Sequence, residues 1–167
     1  PVLDLAAVAT GTGSTATYVA GSGPVNITAL DATLTDADSA ALEAVDVFLV
    51  NTPDGAAERL EADVAGTGIG KSFAGGVLSL PGVASVAEYQ AVLRTVTYDN
   101  LAATPDLAVR SINVIANDGT LDSNTAITLV TVEENTQPQP GTLSANVISA
   151  LDFNNAQPGV VERITVT

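Results

Sequence analysis

Apolar residues recur along this chain with the two-residue period of β-strands far more often than with the period of a helix. TATYVAG (15–21), VNITAL (25–30), VDVFLVN (45–51), GVLSL (76–80), RTVTYDN (94–100), RSINVIAND (110–118) and TAITLVTVE (125–133) are rich in β-branched residues, and each reads as a strand. In SINVIAND, Ile112, Val114 and Ala116 share one face while Asn113 and Ile115 share the other, which suits a strand covered on both sides. Gly, Pro, Asn and Asp punctuate these runs. NDGT (117–120) and PDG (53–55) are turn signals, because Asp-Gly tolerates positive φ. A single stretch, SVAEYQAVLRTV (85–96), has helical spacing: Ser85 followed by Glu88 forms a capping box, and Val86, Tyr89, Val92 and Leu93 make a stripe. Short strands with a turn about every ten residues predict an all-β fold, an antiparallel Greek-key β-sandwich over residues 1–134.

After Glu134 the pattern changes. NTQPQPG (135–141) reads as a Pro-rich linker, and residues 142–167 as a C-terminal extension ending in the strand VVERITVT. In that strand Val160, Glu162, Ile164 and Val166 share one face, while Val161, Arg163, Thr165 and Thr167 share the other. Such a short unit cannot fold alone, so it is expected to add a strand to an open sheet edge, its own or that of a neighbouring copy. Partners of this kind are copies of the chain itself. The chain opens at Pro1 with neither Met nor a leader, which predicts a processed product or a fragment.

Length and composition narrow the functions. A chain of 167 residues, 46% hydrophobic, supports one well-buried domain. No run approaches the roughly 20 apolar residues of a spanning helix, so membrane insertion is not expected. Nineteen acids against five bases give a net charge of −14. Residues 136–167 hold two acids (Asp152, Glu162) and one base (Arg163), so −13 of that charge falls in residues 1–135. Such a surface repels nucleic acid and attracts cations.

The absence of His and Cys excludes Ser-His-Asp and Cys-His catalysis and the usual zinc sites. AGTGIGKS (65–72) matches a loose phosphate-loop pattern, but FAGGVLSL follows it where a helix is required; GTGSTA (11–16) imitates a dinucleotide fingerprint and also lacks the helix. NIT (26–28) is a glycosylation sequon with no secretory eukaryotic context around it. A glycosidase carboxylate pair needs an aromatic-lined cleft, and three Tyr, three Phe and no Trp supply a poor one. The expectation is therefore a non-enzymatic module.

The stretch TLTDADSAAL (33–42) carries the candidate chemistry, with Asp36 and Asp38 one residue apart and Asp31 upstream. Counted from Asp36 as an EF-hand loop, position 5 is Ala40, position 6 is Ala41 and position 12 is Val47, so the EF-hand is excluded. Two readings stay open: a strand-end Asp-x-Asp that joins other carboxylates around a hard cation, or a solvated turn whose Asp side chains cap local amides.

PVLDL (1–5), GPVNITALDATLTDADSAALEAVDVFLVN (23–51), DGAAERLEADVAGTGI (54–69), GVLSLPGVASVAEYQAVLRTVTYDN (76–100) and RSINVIANDGTLDSNTAITLVTV (110–132) together resemble the cadherin-like repeats of very large bacterial surface proteins and adhesins, related to those of chondroitin-sulfate proteoglycans. The resemblance covers about residues 1–133 in order. It implies a cadherin/immunoglobulin-like sandwich, a place at the bacterial cell surface, adjacent repeats of the same chain as partners, and Ca2+ bound at module ends. Under it, Asp36 and Asp38 match the strand-end Asp-x-Asp motif, Asp4 and Asp118 match acidic positions near the module ends, and Asp31 and Asp99 are further candidates. The chain departs from the family at EENTQPQPG (133–141), where an acidic linker into the next repeat is usual; Glu133 and Glu134 stand where those acids would be. Some cadherin-like bacterial domains are thought to bind polysaccharide, so a carbohydrate-binding module is the alternative.

Overall fold

A computed structural model describes residues 1–136; most of the Pro-rich linker, the 142–167 extension and its terminal strand lie outside the described residues. Pro1–Asn135 form one compact unit. Its strands are β1 (Val2–Asp4), β2 (Ser14–Val19), β3 (Val25–Asn26), β4 (Thr33–Thr35), β5 (Ala41–Leu49), β6 (Glu58–Glu61), β7 (Ser72–Ala74), β8 (Val77–Ser85), β9 (Thr97–Asn100), β10 (Arg110–Asn117) and β11 (Ala126–Glu133), with one α-helix, α1 (Val86–Leu93), between β8 and β9 and a single 3-10 turn, Gly55–Ala57, before β6. Six strands form a sheet in the order β2-β11-β10-β5-β8-β7, three form β3-β9-β6, and β1 pairs with β4.

The fold is an all-β sandwich, and alternation explains its core. Leu42, Val45, Val47 and Leu49 of β5, Leu78 and Leu80 of β8, Ile112, Val114 and Ala116 of β10, and Ala126, Val130 and Val132 of β11 all turn inward and are buried. Tyr18 of β2 meets Tyr98 of β9 edge to face, with ring centroids 5.4 Å apart, which ties the large sheet to the small one. The strands pair antiparallel except β2 and β11, which run parallel from Ser14 beside Thr128 to Val19 beside Glu133. The sheet is therefore mixed where the sequence pattern predicts antiparallel pairing throughout. Alternation fixes which face a residue takes, not the direction of the neighbouring strand.

The helix follows from its capping box. Glu88 N–H donates to Ser85 Oγ (3.2 Å), and Ser85 N–H donates back to the Glu88 carboxylate (2.9 Å). Tyr89, Val92 and Leu93 are buried on one side. The β-branched run Thr95-Val96-Thr97 then ends the helix, and the Thr95 hydroxyl donates to the Val92 carbonyl (2.7 Å). On its other side α1 holds the segment that leads into the acidic loop. Gln90 Oε1 accepts from Leu34 N (3.0 Å), and Arg94 donates twice to the Ala32 carbonyl (3.0 and 2.7 Å).

Candidate metal centre

Strand order places two loops side by side at one pole. Ala44 of β5 lies opposite Asn117 of β10, so the loop entering β5 and the loop leaving β10 meet there. Asp36 and Asp38 come from the first loop and Asp118 from the second. Each offers a carboxylate oxygen, and these oxygens lie within 4.8 Å of one another. Two ligands on opposite sides of a Ca2+ ion, each at about 2.4 Å, are about 4.8 Å apart, so the spacing suits one hard cation. All three donors are carboxylate oxygens, a set that suits hard divalent cations over softer metals.

Each loop is stiffened by its own acid. Asp36 Oδ1 accepts from the amides of Asp38 and Ser39 (3.2 Å each). Burial of the Asp36 carboxyl raises its pKa, but the bonds from Asp38 and Ser39 and the nearby amino terminus outweigh that and hold it down at about 2. Asp118 Oδ1 accepts from Thr120 and Leu121 N–H (2.8 Å each). Gly119 adopts φ +90, and a Cβ there would stand 2.5 Å from the Glu43 carboxyl carbon. The turn therefore needs glycine for its conformation, while the Glu43 carboxyl, at the end of a flexible side chain, lies close against it.

The remaining oxygen of Asp36 is informative. Its side chain is 1% exposed, yet Oδ2 has no hydrogen-bond partner; its nearest cation is the amino nitrogen of Pro1 at 3.4 Å. A buried carboxylate oxygen without a donor is costly unless a positive charge faces it. Asp122, bonded to Asn117 Nδ2 (2.6 Å), and Glu43 bring the acids of this pole to five. Among the described residues the Pro1 contact is the only ion pair any of the five makes.

Three of the six sequence candidates thus come together and three do not. Asp4 ends β1 opposite Thr33, at the far end of the β1–β4 ribbon from Asp36, and its Oδ1 accepts from Ala6 N (3.1 Å). Asp31 Oδ2 accepts from Val8 N (3.0 Å), closing a loop. Asp99 is buried on β9, where Arg59 Nη2 donates to its Oδ2 (2.8 Å). Glu43 and Asp122 were not singled out in the sequence. Each is a lone acid with no spacing motif, and only the meeting of two loops brings it to the pole.

A second polar cluster lies at the other end of β10, roughly 25 Å away at a strand's rise per residue. Arg110 is fully buried. Its Nε donates to Glu58 Oε2 (3.0 Å), its Nη2 to Asp54 Oδ2 (2.6 Å), and its Nη1 to the carbonyls of Asp106 (2.9 Å) and Ala108. Tyr98 O–H donates to Glu58 (2.9 Å), and Asn100 Nδ2 to Asp54 (2.8 Å). Burial raises the Asp54 pKa, but Asn100, the Asp106 amide and Arg110 together bring it below the ordinary carboxylate range. Burial and the Glu58 contact push the Tyr98 phenol up. Every charge here is paired within the cluster, which makes it a structural brace.

The two glycine motifs take non-helical forms. Thr67 N–H bonds to the Val64 carbonyl in a turn, Lys71 pairs with Glu61, and β7 begins at Ser72. GTGSTA runs straight into β2. An open groove of about 670 Å3 lies beside β2 and β11, walled by residues such as Ala6, Gly13, Ser14, Thr28 and Leu129, and none of its lining residues is ionisable or aromatic. Together the fold and the acidic pole define an all-β sandwich module with a candidate divalent-cation site between two loops. Comparison with protein-family models, curated proteins and solved structures finds no match to this chain.

Proposed function

We propose that the chain is a non-enzymatic structural or adhesive module of a bacterial extracellular surface protein, stiffened by calcium at its acidic pole. One observation carries this reading: Asp36, Asp38 and Asp118, drawn from two loops far apart in sequence, present oxygens within 4.8 Å of one another. Asp36 Oδ2 supports it: the oxygen is buried with no hydrogen-bond donor and only the Pro1 amino group 3.4 Å away, so a cation bound there adds positive charge where a buried carboxylate needs it. Calcium joins the loop before β5 to the loop after β10 and relieves repulsion among carboxylates that destabilise the fold without it. A cation that binds only the folded state stabilises by mass action. The extracellular setting, where calcium is abundant, and assembly with adjacent repeats or copies through the C-terminal strand complete the proposal. Thermal unfolding with calcium and with chelator tests the metal, with Asp36→Asn as the control that removes a ligand.

A further inference from the structure

We propose that the covalent state of the Pro1 nitrogen sets how far the acidic pole depends on a divalent cation. A free Pro1 amine is a built-in counter-charge for Asp36; a preceding residue removes that charge and leaves the place to the metal. The metal half of this rests on the calcium reading above, and the ion pair itself does not. Strand pairing puts the nitrogen where it is. Val2 lies opposite Thr35 in the antiparallel β1–β4 ribbon, so Pro1 arrives beside Asp36. Asn124 also grips β1, its Oδ1 accepting from Leu3 N–H (2.8 Å) and its Nδ2 donating to the Leu3 carbonyl (2.9 Å). Both anchors act on the backbone of β1, so they hold residue 1 at this place whether or not a residue precedes it.

At that place the nitrogen faces one particular oxygen. Asp36 Oδ1 is taken by the Asp38 and Ser39 amides, which leaves Oδ2 for a cation, and Pro1 N stands 3.4 Å from Oδ2 with both groups buried. Proline sharpens the contrast between the two forms. As a chain terminus its nitrogen carries a positive charge; with any residue ahead of it the nitrogen is a tertiary amide with neither charge nor proton. Another amino acid would keep an N–H to offer Oδ2, and proline keeps nothing. The acylated form therefore leaves a buried carboxylate oxygen without donor or counter-charge, beside the carboxylates of Asp38 and Asp118. A divalent cation is what remains to neutralise it. In the free form the amine already supplies positive charge there, and it repels an incoming cation.

Two forms of the full chain test this. One has Pro1 as its free terminus, confirmed by intact mass. The other carries a neutral Gly-Ser-Gly-Ser segment ahead of Pro1, which moves the terminal charge roughly 10 Å away, about a Debye length. In chelator the extended form is expected to unfold roughly 3 °C or more below the free form. Asp36→Asn, made in both forms, is expected to remove that difference. A gap that survives Asp36→Asn comes from bulk rather than charge and overturns the proposal, as does the absence of any gap. In calorimetric titration with calcium alone, the extended form is expected to bind at least about tenfold tighter than the free form. This arm needs no substitution, so it stands even where Asp36→Asn fails to fold. Equal calcium affinities overturn this proposal and leave the metal reading intact; no binding by either form overturns both.

Discussion

Single residues divide this molecule into paired charges and unpaired ones. Arg110, with Asp54, Glu58, Tyr98 and Asn100, forms a closed buried network whose worth lies in its completeness. Arg110→Ala leaves Glu58 and Asp54 without their cation and is expected to lower unfolding free energy by about 3–5 kcal/mol in urea titration. A loss under 1 kcal/mol contradicts the brace. Asp36 and Asp118 are read through the metal. Asp36→Asn gives up a carboxylate that its amide partners and the Pro1 amino group hold ionised, so without metal it is expected to unfold at or below the parent's temperature. In both Asp36→Asn and Asp118→Asn the response to calcium disappears. An undiminished calcium response in both variants contradicts their role as ligands. Asp36 and Asp38 stood out in the sequence because Asp-x-Asp is a local pattern. Arg110 did not: the period places it on the face of Ile112 and Val114, but an arginine is seldom fully buried, and the acids that pair with it, Asp54 and Glu58, lie far away in sequence.

At the scale of elements, the long strands and the helix were legible and the short strands were not. β10 and β11 alternate over eight residues each, enough to display a period, and the Ser85/Glu88 box announced α1. β1, β4, β6 and β7 hold three or four residues each, too few to show one. VNITAL reads as a six-residue strand but pairs as one only over Val25–Asn26, before the chain turns under α1. That helix matters for the site because Gln90 and Arg94 fasten the backbone at Leu34 and Ala32, a few residues before Asp36. Ser85→Ala removes the cap and is expected to cost about 1 kcal/mol in denaturant titration. It also loosens the Asp36 loop, so amide hydrogen exchange at residues 34–39 should rise in step. Destabilisation with unchanged exchange there would show that helix and loop are not coupled.

For the whole molecule, charge sets the conditions of stability. Asp54 has a depressed pKa in the folded state, so its share of stability is present above the ordinary carboxylate pKa near 4 and is lost as pH falls through its folded value. The urea midpoint is therefore expected to fall between pH 5 and pH 2, and Asp54→Asn, less stable at neutral pH, should show a shallower fall. Equal pH slopes for parent and variant contradict this. At neutral pH the same acidity gathers five acids at one pole, drawn from loops that strand order alone brings together. We propose that a divalent cation closes that pole. Thermal unfolding in calcium at about a hundred times its dissociation constant, set against chelator, is predicted to raise the midpoint by roughly 5–10 °C, with the rise lost in Asp36→Asn. A midpoint that does not move between calcium and chelator contradicts it.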